Sequence, residues 1–114
     1  MHTLKELAYD YFKSLGYNVQ MNVTITGTLK NNEDSYDLVC TDIKNNKIGV
    51  KIKDWGRSIG INAIRHFHEE VENSNLSEGI LIGRSFSGYA KNLSKEYYKV
   101  KTLSRNELIY HLGI

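Results

Sequence analysis

The sequence Val50-Lys51-Ile52-Lys53-Asp54-Trp55 alternates apolar and charged residues over its first four positions. Residues two apart on a β-strand share a face, so Val50 and Ile52 are expected to face a core while Lys51 and Lys53 point together to the opposite side. Charged groups inside a covered sheet are costly unless they face a cleft or a charged partner. Asp37, in the preceding apolar run, is the residue expected to supply that partner.

Signals on both sides of this strand predict one α/β domain over residues 1–114. Capping boxes at Thr3-x-x-Glu6 and Ser104-x-x-Glu107 predict the starts of the first and last helices, and Gly16 is expected to end the first. Further patterns predict strands over 17–25, 36–43, 48–53, 79–83 and 98–103, helices over 60–73 and 85–96, and a polar loop over 30–35. The order α-β-β-β-α-β-α-β-α predicts a central mixed sheet flanked by helices on both faces.

The amino-acid composition restricts the class of this protein and says little about its activity. The chain of 114 residues has a net charge of +2, but residues 1–43 carry −3 and residues 44–105 carry +6. A basic segment suits a polyanionic partner, and an uneven solvated surface is the equally open alternative. The single Cys40 lies in an apolar run, which predicts a core position and a reducing, cytoplasmic setting. No apolar run is long enough to predict a membrane span.

Asp37 and Lys53 together carry two requirements of phosphodiester hydrolysis. A divalent metal held by carboxylates polarises the phosphoryl oxygen and activates water, and a nearby lysine neutralises charge that develops in the transition state. Two residues make a weak motif by themselves. The alternative is a salt-bridged pair of strands whose lysines are solvated.

Six segments carry a wider resemblance over nearly the whole chain. They are Leu15-Gly16-Tyr17-Asn18-Val19, Tyr36-Asp37-Leu38-Val39, Gly49-Val50-Lys51-Ile52-Lys53-Asp54-Trp55, Gly79-Ile80-Leu81-Ile82, Ser85-Phe86-Ser87-Gly88-Tyr89-Ala90 and Leu103-Ser104-Arg105-Asn106-Glu107-Leu108. In this order they resemble the PD-(D/E)xK nuclease superfamily, and within it the Mrr-type (type IV) restriction endonucleases and their archaeal relatives. The resemblance implies a restriction-endonuclease-like fold, double-stranded DNA as substrate, Mg²⁺ as cofactor and a homodimer.

The resemblance also implies roles for individual residues. The family's metal-binding aspartate falls on Asp37 and its catalytic lysine falls on Lys53. Its intervening Glu or Gln falls on Lys51, where this sequence departs from the pattern. A protonated lysine has three donors and no acceptor, so Lys51 cannot be a metal ligand, although it suits a phosphate.

Some members of the superfamily supply the missing acid from the following helix, which here contains Glu69, Glu70 and Glu72, and Glu6 of the first helix is a further candidate whose capping box already explains it. At about 100° per residue, Glu70 flanks the predicted apolar face of that helix whereas Glu69 points away from it. Asp37 and Glu70 are therefore the predicted metal ligands. A solvated helix face is the alternative for all of these glutamates, and the i, i+2 spacing of His66 and His68 argues against a zinc site.

Basic and hydroxyl residues at the ends of elements are the predicted DNA contacts, since such loops and helix starts can meet a phosphate backbone. They are Lys51, Arg57, Arg84, Ser85, Ser87 and Lys91. Ordinary helix capping together with surface lysines is the alternative. Three hypotheses remain: a Mg²⁺-dependent DNA endonuclease with a degenerate site, a catalytically inactive DNA-binding domain, and a module that mediates assembly.

Overall fold

The computed structural model describes residues 2–27 and 33–114. Within them, helices and strands follow the predicted order: α1 (Leu4–Ser14), β1 (Asn18–Thr26), β2 (Glu33–Thr41), β3 (Lys47–Lys53), α2 (Ile61–Glu72), β4 (Glu78–Gly83), α3 (Gly88–Glu96), β5 (Val100–Ser104) and α4 (Arg105–Leu112). Part of the predicted polar loop lies outside the described residues, and the loop prediction is wrong for 33–35, which already belong to β2.

The strands form one mixed sheet in the order β1-β2-β3-β4-β5. The pairs β1–β2 and β2–β3 are antiparallel, whereas β3–β4 and β4–β5 are parallel. Helices α1 and α4 pack on one face and α2 and α3 on the other, each with its own apolar core. The predicted mixed sheet with helices on both faces is confirmed.

Strand β3 divides its side chains between these two layers. Val50 is fully buried against the α1 layer, and Ile52 packs on the same core. Gly49 faces α2 instead, and a Cβ atom placed on it would lie 2.5 Å from a methyl carbon of Leu76 and 2.7 Å from the ring of Tyr36. The absence of a side chain at Gly49 therefore lets the α2 layer approach the sheet beside the two lysines.

Both predicted capping boxes are present. The Thr3 hydroxyl accepts from the backbone N–H of Glu6 at 3.1 Å, and Ser104 does the same for Glu107 at 3.2 Å. Each glutamate accepts in return from the backbone N–H of its cap residue. These bonds satisfy N–H groups that a helix start leaves without partners.

Ser104→Ala should lower the free energy of unfolding by about 1 kcal/mol, because the hydroxyl that caps α4 is lost. Urea denaturation followed by circular dichroism measures the change. Ser104→Asp retains a capping oxygen and should keep most of the stability. Equal losses in the two variants would contradict the capping role.

The sequence Asn45-Asn46 predicts a two-residue turn between β2 and β3, and this prediction is wrong. The N–H of Asp42 donates to the carbonyl of Asn46 at 3.0 Å, so Ile43, Lys44 and Asn45 form a three-residue loop. Asn45 has φ 67°, as expected for an asparagine in a turn. The Asp42 carboxylate accepts from the N–H groups of Lys44 and Asn46, both at 2.9 Å, and these bonds lower the pKa of Asp42.

Cys40 is buried in the α1 core, as predicted, and burial raises the pKa of its thiol to about 12. Among the described residues, no helix combines the length and the apolar character that a membrane crossing requires.

Candidate nucleic-acid interface

Strands β2 and β3 separate at Asp37. Their antiparallel register runs from Thr41–Lys47 to Leu38–Val50. Beyond that point the Oδ2 atom of half-buried Asp37 accepts from the backbone N–H of Ile52 at 2.7 Å. The Asp37 side chain thus satisfies an N–H group of β3 where β2 has moved away.

The alternation of side chains along β2 also shifts at this point. Tyr36 and Val39 are three residues apart, yet both pack in the core under α2. On β1, Asn22 lies opposite Asp37, between the paired residues Met21 and Val23, and has φ 54°. The local distortion therefore involves both strands. It moves the Asp37 side chain out of the regular pleat.

Lys51 faces the α2 side of the sheet, as its alternation predicted. Its Nζ lies 2.5 Å from Glu70 Oε2 and 5.1 Å from the centre of the Tyr36 ring. No ion pair joins Lys51 to Asp37 among residues 2–27 and 33–114, so the expectation that Asp37 is its partner is wrong. A carboxylate of α2 neutralises Lys51 instead.

Glu70 is turned toward the sheet, as the helical spacing predicted, and only 13% of its side chain is exposed. Its Oε1 atom lies 3.0 Å from Nε2 of the exposed His66, one helical turn earlier. The contact with Lys51 is an ion pair without hydrogen-bond geometry at Oε2. Glu70 therefore has a cationic partner at one oxygen and an imidazole at the other.

Tyr36 lies under this ion pair. Its hydroxyl is buried and has no hydrogen-bond partner within the described part of the chain. Burial, followed by the charge of Glu70, raises the pKa of Tyr36 well above its usual value. The phenol is therefore neutral and belongs to the buried core beneath the ion pair.

Lys53 and Arg57 form the positively charged end of the site. The Lys53 Nζ lies 4.9 Å from the centre of the Trp55 ring, and the Arg57 Cζ lies 4.6 Å from it. Among the residues that the structure describes, neither cation has a carboxylate within ion-pair distance. Their charges remain available to an anionic ligand.

These side chains line one cleft between the end of β3 and the start of α2, with a volume of about 570 Å³. Its positive charge comes from Lys51, Lys53 and Arg57. Glu70 is also a lining residue, and its side chain is mostly buried. Six further side chains belong to the lining, those of Trp55, Ile61, Asn62, Ala63, His66 and Phe67, and Gly60 completes it. The sequence did not predict that these six side chains line the cleft. All except Trp55 lie in the first turns of α2, and the short connection from Lys53 to this helix was a signal that they lie near that lysine.

The remaining predicted DNA contacts lie apart from this cleft. Arg84 pairs with Asp54, with 2.5 Å between Nε and Oδ1. The Ser85 hydroxyl is 3.0 Å from that of Ser58, and Ser87 caps α3 by accepting from the N–H of Ala90.

Lys91 lies in a separate groove with Lys95, Tyr97 and Lys101. The predicted DNA contacts are therefore distributed over several parts of the surface. Only Lys51 and Arg57 line the cleft itself.

The residues present do not fit a bound Mg²⁺ ion. Magnesium needs oxygen ligands in nearly octahedral positions, and a protein usually supplies one or two carboxylates. Asp37 has one oxygen engaged by Ile52, and Glu70 is neutralised by Lys51. Within 2–27 and 33–114, no group of three or more His, Cys, Asp or Glu side chains could hold a metal. The assignment of Asp37 and Glu70 as ligands stays a prediction.

Several solved structures share the fold of this chain. A protein of unknown function called AF1548 has a TM-score of 0.79 and 13% identity, over 96% of this chain and 65% of its own. A repair endonuclease from Pyrococcus abyssi and EndoMS in its apo form have TM-scores of 0.55 and 0.57, each with 17% identity over 91% of this chain and 47% of theirs. No curated protein matches the sequence. At these identities the likeness shows the fold alone.

A family model described as a restriction endonuclease, the Mrr catalytic domain, matches residues 1–112. This match covers nearly the whole chain and agrees with the resemblance carried by the six sequence segments. The expected family and its restriction-endonuclease-like fold are both confirmed. The chain belongs to the Mrr-type restriction endonuclease family.

Proposed function

We propose that this domain binds DNA by its phosphate backbone in the cleft at the end of β3, and that its own residues do not support metal-dependent hydrolysis. The Lys51–Glu70 ion pair carries the proposal. The ion pair places the ammonium group of Lys51 where the family has a metal-binding acid. It also neutralises Glu70, the acid of α2 that could replace the missing ligand.

Charge in the cleft favours a phosphate over a metal ion. Lys51, Lys53 and Arg57 line it, against one carboxylate from Glu70. Because Glu70 balances Lys51, two cations remain for an incoming polyanion. Phosphate contacts of this kind position DNA without reading its sequence.

Family membership supports DNA as the partner, and the family generally uses a divalent metal. The Mg²⁺-dependent endonuclease is therefore the competing hypothesis, with Asp37 and Glu70 as ligands and Lys53 as the catalytic lysine. We disfavour it because an ammonium group at Lys51 repels a divalent cation and holds Glu70 away from it. The predicted homodimer stays a proposal, which light scattering on the purified protein can test.

The double variant Lys53→Gln/Arg57→Gln should weaken binding to a short DNA duplex and reduce its salt dependence. Each phosphate contact adds about 0.9 to the slope of log K against log salt concentration, so the slope should fall by about 2. Fluorescence anisotropy at several salt concentrations measures both quantities.

Lys44→Gln/Lys47→Gln is the matched control for charge, since both lysines are exposed at the opposite end of β3. It should leave the slope nearly unchanged. Binding by the wild-type protein that does not respond to salt would reject phosphate recognition and favour an assembly module. Cleavage of plasmid by the wild type with Mg²⁺ or Mn²⁺, lost in Asp37→Ala, would establish the endonuclease instead.

A further inference from the structure

One wall of the cleft is apolar, which phosphate binding does not require. Trp55, Ile61 and Ala63 are half-buried along it, and Phe67 lies buried behind them. Lys53 and Arg57 are positioned over the Trp55 ring at the same end. The cleft therefore presents the Trp55 ring beneath two cations, with Ile61 and Ala63 beside it, and the ring face becomes free for a base when these cations turn to an anionic ligand.

Nucleotides match this combination of surfaces. A base has an apolar π-face that stacks on aromatic rings, and its own phosphates lie within one residue of it. The cleft volume of about 570 Å³ is in the range of pockets that hold small organic ligands. A paired base inside a duplex cannot enter such a cleft, because its faces are covered by its neighbours.

We propose that the cleft accepts one unpaired nucleobase of the bound DNA against Trp55, Ile61 and Ala63, while Lys53 and Arg57 hold the adjacent phosphates. The inference rests on the proposed DNA binding and names its substrate class: DNA with an extrahelical or single-stranded nucleotide. The exposed amide of Asn62, which also lines the cleft, offers both a donor and an acceptor to the edge of such a base.

The sole tryptophan of the chain makes the proposal directly measurable, because Trp55 accounts for all tryptophan fluorescence. The probes are three duplexes of identical length: one with a single bulged thymidine, one with an abasic bulge at the same place, and one fully paired. The bulged thymidine adds a base without adding a phosphate relative to the abasic bulge. We expect about tenfold tighter binding to the thymidine bulge and quenching of Trp55 fluorescence by that duplex alone.

Ala63→Leu tests the location. Ala63 is half-buried on α2, and leucine is compatible with a helix, so the variant fills the cleft without disturbing the core. It should bind the thymidine and abasic bulges with equal affinity, so the readout is the ratio of these two affinities and not the affinity for the paired duplex.

Two further outcomes overturn the proposal. Equal affinity for the thymidine and abasic bulges with unchanged Trp55 fluorescence rejects base recognition, while phosphate binding stands. Absence of binding to all three duplexes rejects both the base site and the proposed DNA function.

Discussion

Lys51→Glu should bind Mn²⁺ or Mg²⁺ at the end of β3, whereas the wild-type protein should not. The substitution removes the ammonium group that neutralises Glu70 and adds a carboxylate on the face of β3 that points into the cleft. Oxygen ligands from Asp37, Glu70 and the new side chain then suit a hard divalent cation.

Thermal unfolding with and without Mn²⁺ measures this effect. A ligand that binds only the folded state adds about 2.7 kcal/mol of stability at a hundredfold excess over its Kd. The variant should therefore melt several degrees higher with Mn²⁺, while the wild type stays unchanged. In metal-free buffer the variant should be the less stable protein, because two carboxylates replace an ion pair.

Nicking of supercoiled plasmid is the second measurement on this variant. Activity that appears in Lys51→Glu and disappears when Lys53→Ala is added would show that the scaffold retains everything except an acid at position 51. Lys44→Glu makes the same charge change on an exposed loop and should neither bind metal nor nick. A melting temperature of Lys51→Glu that Mn²⁺ does not raise would contradict our account of what Lys51 displaces.

The alternation in β3 was sufficient to predict which way Lys51 and Lys53 point, because a strand has a fixed side-chain period. Helical spacing likewise predicted that Glu70 faces inward and Glu69 outward. Both are properties of a single element. Predictions of this local kind agree with the structure, as do the capping boxes at Thr3 and Ser104.

Contacts between elements were not accessible to the same reasoning. The partner of Lys51 depends on how α2 crosses the sheet, which no spacing within β3 encodes. The separation of β2 from β3 depends on the paired distortion at Asn22 and Asp37. Arg84 was predicted to contact DNA, but the sequence did not reveal that Asp54 lies within reach of it from the end of β3.

Asp37→Ala should lower the free energy of unfolding by about 2 kcal/mol even in the absence of any metal. Its carboxylate accepts from the N–H of Ile52, and a donor left unsatisfied in a partly buried site costs about 1–3 kcal/mol. Urea denaturation in buffer containing EDTA measures the loss. Asp10→Ala, at an exposed position on α1, is the matched control and should change stability little.

Asp37→Asn separates the structural role of Asp37 from a metal-binding role. The amide oxygen still accepts from Ile52, so this variant should retain more than half of the stability that Asp37→Ala loses. If Asp37 served only as a metal ligand, both variants would have wild-type stability in EDTA. Because its carboxylate accepts from Ile52 where the pairing of β2 with β3 ends, Asp37 has a structural role whether or not the domain cuts DNA.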